Sequence, residues 1–186
     1  TGCHPNPQGT GMTEPSRDIH GPAQSRAIRD VLQTLFAAEL LQPSKPLWLC
    51  FAWVTDLQLL DNSARQFALL QPDWPAAPIR LSNVLDALLA RGGQINVVIR
   101  DHEHNETFIR VLERLRAEHG VAIRWAVGDK FHAKGLLGER YFLNGSMNLT
   151  VSGVSVNEEH VVLRLDPALL AQQRLEFTER WEGNLQ

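Results

Sequence analysis

The chain has 186 residues, a length that suits one domain with its own core. Hydrophobic residues make up 44% and charged residues 21%, an ordinary globular balance that argues against a disordered chain. No apolar run approaches the roughly 18 residues that a bilayer span requires. The formal net charge of −3 gives no global basic signal, so any nucleic acid must be met by a local patch.

Thr1–Gly11 is rich in Gly, Pro, Asn and Gln. It reads as a disordered, extraneous leader, with Met12 as the natural start and residues 12–186 as a single domain. Neither of the two cysteines, Cys3 and Cys50, belongs to a CxxC pair. Cys50 lies in the apolar run Leu47–Val54 and is expected to be a buried free thiol. This usage, with no secretory signal pattern, points to a cytoplasmic protein.

Ile28, Val31, Leu32, Leu35, Phe36 and Leu40 recur at helical spacing, which predicts a helix over about Gln24 to Leu41, ended by Pro43 and Pro46. Leu47 to Val54 reads as a buried strand. The proline-rich stretch from Asp56 to Pro78 reads as a surface excursion. A second helix follows through Leu81, Val84, Leu85, Leu88 and Leu89 and stops at Gly92-Gly93. A strand at Ile95–Ile99, a helix through Phe108, Ile109, Leu112 and Leu115, and a strand at Val121–Ala126 come next. Strands alternating with helices imply right-handed crossovers and a largely parallel sheet with helices on both faces.

Beyond this point the pattern changes. Phe131–Leu137, Tyr141–Asn144 and His160–Leu165 read as closely spaced strands, with a hairpin turn at Gly138-Glu139. A last helix carries Leu170, Arg174, Phe177 and Trp181 on one face.

The same region holds the chemistry. In Phe131-His132-Ala133-Lys134, a strand would point His132 and Lys134 to one face, placing a nucleophilic imidazole beside a fixed cation. In Gly145-Ser146-Met147-Asn148, the glycine permits close backbone approach, and Ser146 and Asn148 offer hydrogen bonds to anionic oxygens. In Asn157-Glu158-Glu159, Asn157 and Glu159 share a face, and the carboxylate can orient an imidazole.

The series H-x-K, G-S-x-N, N-x-E resembles the signature of the phospholipase D superfamily, over about Phe131 to Leu165. It is also similar to the short phospholipase D-like proteins of bacterial DNA-modification and phage-defence clusters. The resemblance implies a mixed, largely parallel α-β-α sandwich. It implies His132 as a nucleophile forming a phosphohistidine, Lys134, Asn148 and Ser146 around the phosphate oxygens, and Glu159 fixing the tautomer of His132. Gly145, Asn157 and Glu139 are the expected substrate-binding positions. Glu139 is the nearest counterpart of the family's aspartate, and the span from His132 to Gly145 is about one residue short.

No metal or other cofactor is expected, because lysine and asparagine supply the electrostatics. With one H-x-K motif, the chain is expected to pair with a second copy across the active site. The expected activity is that of a nuclease, in the cytoplasm, with nucleic acid as substrate, no membrane, and proteins of a defence cluster as further partners. A catalytically silent binding subunit and a phospholipase are the alternatives.

Elsewhere, Asp101-His102-Glu103-His104 follows a strand and reads as a solvated loop rather than a metal site. His160 reads as structural, and Trp48, Trp53 and Trp125 as core.

Overall fold

The computed structural model describes residues 16–19, 24–129, 134–155 and 159–186. The readings placed on the leader, Met12, Cys3, His132 and Asn157 lie outside these residues.

Among the described residues, nine strands and five α-helices are arranged about one large sheet. They are β1 (Ser16–Ile19), α1 (Gln24–Leu41), β2 (Leu47–Cys50), β3 (Gln58–Asp61), β4 (Pro78–Arg80), α2 (Leu81–Ala90), β5 (Ile95–Arg100), α3 (Glu106–His119), β6 (Ile123–Gly128), β7 (Gly135–Leu137), β8 (Phe142–Gly145), α4 (Val151–Ser155), β9 (Val161–Arg164) and α5 (Pro167–Trp181). The large sheet has the order β1-β9-β8-β7-β2-β5-β6, and β3 pairs with β4 in a separate ribbon.

The sheet is mixed, as expected, but its parallel part is small. β2, β5 and β6 are parallel neighbours, two pairings of six, while β7, β8, β9 and β1 add antiparallel strands to one edge. Sequential hairpin strands need no crossover, and that fixes their direction.

Alternation along the strands builds both cores. Leu47, Leu49, Val97, Leu136 and Leu143 face a cluster shared with Ile28, Phe36, Leu85 and Phe108 of α1, α2 and α3. Their neighbours Trp48, Cys50, Val98, Leu137 and Phe142 face Leu170, Phe177 and Trp181 of α5. Helices therefore cover both faces, as a fully buried strand such as β2 requires. Asp166 caps α5 by accepting from the N–H of Leu169 at 2.8 Å, and Pro167 opens the helix.

Cys50 is a buried free thiol, and Trp48 and Trp125 are buried in the core. Trp53 is not. The paired register of β2 ends at Cys50, Ala52 O still accepts from Arg100 N–H of β5 at 3.2 Å, and Trp53 just beyond is half-buried. No helix among the described residues is long and apolar enough to cross a membrane.

Candidate active site

The start of β7, the end of β8 and the start of β9 meet at one end of the sheet. In the antiparallel register Gly135 faces Asn144, and Gly145 faces Val161. Lys134, Ser146, Glu159 and His160 are thereby brought together. The C-terminal ends of β2 and β5 lie at the same end, where open α/β sheets hold their ligands.

Gly145 is required there by space. A Cβ on it would come within 1.9 Å of the His160 carbonyl oxygen. The close approach allows Ser146 N–H to donate to that carbonyl at 3.0 Å, and His160 N–H to donate back to Ser146 Oγ at 3.0 Å. The Ser146 hydroxyl in turn donates to Glu159 through a short hydrogen bond. Ser146 thus spends its proton on the carboxylate and holds Glu159 in place, rather than turning that proton outward. Lys134 Nζ donates to the Ser146 carbonyl at 3.0 Å. An ammonium has three donors, so this bond anchors the side chain and leaves others for an anion.

Asn148 lies one step further along. Leu149 bridges to Val54, and Thr55 N–H donates to Leu149 O at 3.0 Å, so the two segments run side by side. Asn148 Oδ1 accepts from Trp53 N–H at 3.3 Å, which orients the amide and directs its Nδ2 donors away from Trp53. Gly153 lets α4 close over this segment, since a Cβ there would lie 2.3 Å from Asn148 O.

Asn148 opens onto a cleft of about 900 Å³. Its other walls include Trp53, Arg80, His102 and His104, with Asp56 at the base. Asp56 accepts from Ser82 N–H at 2.8 Å and Ser82 Oγ at 2.9 Å. The loop read as merely solvated therefore contributes two histidines to the cleft wall, and Trp53, read as core, stands beside them.

Glu139 is the expected site residue that the structure places elsewhere. It sits in the β7–β8 turn, at the opposite end of both strands from Lys134 and Gly145. Its carboxylate accepts from Lys45 N–H at 3.1 Å, and its own N–H donates to Ser44 Oγ at 2.9 Å. Hairpin geometry dictates this: the turn must lie one strand length from the site, so Glu139 braces the loop before β2.

Asn105 escaped the sequence reading. Its buried amide accepts from Val54 N–H at 3.0 Å and donates to Ala52 O at 2.9 Å and Arg100 O at 2.8 Å. It ties the segment after β2 to the end of β5 and so supports Trp53 and Asn148. A polar residue before the helical run at Glu106 was the available signal, but it reads as a helix cap.

Among the described residues, Asp86, Glu118 and His119 could bring metal-ligating atoms together. This group spans α2 and the C-terminal end of α3, and His119 Nε2 shares a 2.7 Å hydrogen bond with Asp86 Oδ1.

Residues 57–181 match the family model described as "Cardiolipin synthase, PLD-like domain". The chain belongs to the phospholipase D superfamily, a family of phosphodiesterases. It is 28% identical over 104 residues to a mitochondrial cardiolipin hydrolase of Chlamydomonas reinhardtii, covering 55% of this chain and 46% of that protein. The chain thus spans about half the length of that curated relative.

Among solved structures, NucT from Helicobacter pylori superposes with a TM-score of 0.62 at 11% identity, covering 91% of this chain and 96% of that one. Nuc from Salmonella typhimurium, a phospholipase D family member, gives 0.56 at 15% identity, with 92% and 95% covered. Phosphatidylserine synthase from Haemophilus influenzae gives 0.62 at 15% identity, with 92% and 39% covered. These likenesses are of fold.

Proposed function

We propose that this superfamily member is a metal-independent phosphodiesterase acting on nucleic acid, working as a homodimer with a shared active site. The observation that carries the reading is the convergence of Lys134, Ser146 and Glu159 at one sheet end, beside an Asn148 that lines a cleft also carrying Arg29 and Arg80.

His132 precedes Lys134 by two residues and acts as the nucleophile. Its attack on phosphorus forms a P–N bond as the bond to the leaving oxygen breaks, and an imidazole from the second copy protonates that oxygen. The same imidazole then takes a proton from water, which displaces His132. Lys134 and the Asn148 amide hold the non-bridging oxygens as their charge rises. Ser146 positions Glu159, and Glu159 holds His132 in the tautomer that leaves its attacking nitrogen unprotonated. Asn157 completes the binding side of the site, while Gly145 brings the backbone close. A role in phage defence or DNA modification, with partner proteins, follows from the resemblance to short defence-cluster proteins.

Nucleic acid is favoured over lipid by the cleft wall. Its lining includes the cations Arg29 and Arg80 and the hydrogen-bonding side chains of His102, His104 and Asn148, which suit a phosphate backbone and its bases. The cardiolipin hydrolase relative favours a second reading, a lipid phosphodiester.

One assay separates them. Labelled single- and double-stranded oligonucleotides and cardiolipin vesicles are incubated with the purified chain in EDTA. Cleavage of an oligonucleotide is the expected result. Turnover of cardiolipin alone would establish the lipid reading, and restoration by Mg²⁺ after chelation would overturn the metal-independent scheme.

A further inference from the structure

We propose that Trp53 and His102 form a nucleobase-stacking subsite beside Asn148, holding an unpaired base next to the scissile phosphate. This deepens the nucleic-acid reading above and rests on it.

The first observation is position. Trp53 gives its backbone N–H to Asn148 Oδ1, so the indole is one residue's reach from the amide that would hold the phosphate. The indole and His102 both line the same cleft as Asn148. The cleft's volume of about 900 Å³ falls within the roughly 300–1,000 Å³ typical of ligand sites.

The second is the state of the ring. The Arg100 guanidinium lies over Trp53, 5.6 Å from its centroid. Arg100 is half-buried with its Nε shut off from solvent, so the face of the indole that it covers is closed by protein. His102 meets the same ring edge-on, with centroids 6.5 Å apart and planes at 85°. Trp53 is therefore clamped in one orientation at the cleft wall. A rigid aromatic surface loses little freedom on binding and presents a π-face that any base can stack on.

The third is the imidazole. His102 Nδ1 accepts from His104 N–H at 3.1 Å, which in the neutral ring puts the proton on Nε2. His102 therefore offers a donor at Nε2, suited to a base oxygen or ring nitrogen.

The fourth is charge. Arg29 and Arg80 share this cleft. Arg80 Nη1 donates to the backbone oxygen of Asp56 at 2.7 Å, which fixes the guanidinium at the wall while Ser82 occupies the Asp56 carboxylate. Aromatic stacking bordered by arginines is the chemistry of single-strand binding, where bases are free to leave the duplex.

The test uses the full chain carrying His132→Ala, so that binding is read without turnover. Two probes are compared by fluorescence anisotropy: a short labelled oligothymidylate, and the same backbone with abasic residues. Adding Trp53→Leu should weaken thymidylate binding about tenfold and leave abasic binding unchanged. Trp53→Phe should restore most of the loss, and His102→Ala should give a smaller one. Thermal unfolding of each variant shows whether the fold is kept, and the abasic probe reports on the remaining phosphate contacts in the same protein. Equal binding of both probes, or no effect of Trp53→Leu, would overturn the subsite. So would binding of cardiolipin vesicles with no oligonucleotide binding. Trp53-dependent binding with no cleavage by the wild-type chain would uphold the subsite and sink the turnover reading. Cleavage of thymidylate with an unchanged KM in the Trp53→Leu chain would do the reverse.

Discussion

Trp53 and Asn148 are joined by a 3.3 Å hydrogen bond across 95 positions of sequence, and that bond is held in place by a third residue. Asn105 grips the backbone on both sides of Trp53, at Ala52 O and Val54 N–H. Both this part of the cleft wall and the Asn148 amide therefore depend on one buried side chain.

Asn105→Ala should accordingly lower stability by about 2–4 kcal/mol, since it leaves the buried Val54 N–H unpaired and opens a void. Asn105→Asp should do no better, because it keeps the acceptor for Val54 but sets a carboxylate against the Ala52 and Arg100 carbonyls. Urea denaturation of the three proteins checks the order. A stability of Asn105→Ala equal to wild type would show that the segment is held by other means.

The phosphate-binding roles predict a graded series. His132→Ala should abolish turnover with the fold retained. Lys134→Ala and Asn148→Ala should each slow it by about 10²–10³, the usual loss for one donor to a developing oxyanion. Ser146→Ala should act through Glu159, so its defect and that of Glu159→Gln should not add in the double variant. Steady-state rates with circular dichroism on each protein test this, and full activity of His132→Ala would reject the nucleophile.

A separate prediction concerns pH. Glu39 is buried, and desolvation raises its pKa above the ordinary glutamate value, while hydrogen bonds from Ser44 N–H at 2.7 Å and Ser44 Oγ at 2.8 Å pull the other way. A group with a raised native pKa binds more protons folded than unfolded, so its contribution is complete below the ordinary glutamate range. That contribution is lost as pH climbs through the raised native value. Stability should fall across that window in the wild type and fall less in Glu39→Gln. Chemical denaturation at several pH values measures it, and parallel curves for the two proteins would exclude Glu39 as the source.

The sequence made one half of the sheet legible and left the other half coarse. Apart from β3 and β4, the helices and strands from Gln24 to Gly128 announce themselves by their apolar pattern, because each must bury a continuous face. β1 carries Ser16, Arg17 and Asp18 on a solvent-exposed edge, with little apolar signal to betray it. β3 and β4 lie among prolines that read as a loop. The motif residues Lys134, Ser146, Asn148 and Glu159 could be named from a series that resembles the superfamily signature, and strand pairing brings Lys134, Ser146 and Glu159 together. Trp53, His102 and Asn105 could not, because what places them is contact between the ends of different strands. Glu139 misled for a related reason: its distance in sequence from Lys134 is small, yet the turn puts a strand length between them.

The last prediction concerns assembly. His132 is the one histidine in the chain followed two residues later by lysine. An imidazole that attacks phosphorus from one side cannot easily protonate the oxygen leaving from the other, so the reaction needs a second imidazole opposite the first. A two-fold axis beside the sheet end that carries Lys134 and Ser146 supplies one from an identical chain. Such a site places two Lys134 and two Asn148 around one phosphate and gives a dimer one active centre. Co-expression of wild-type chains with differently tagged His132→Ala chains, followed by purification through both tags, isolates the mixed dimer. A shared centre predicts almost no complete turnover by that species, because its only site lacks one histidine. About half the wild-type rate would mean that each chain works alone. A monomer in sedimentation at micromolar concentration would count equally against the shared centre.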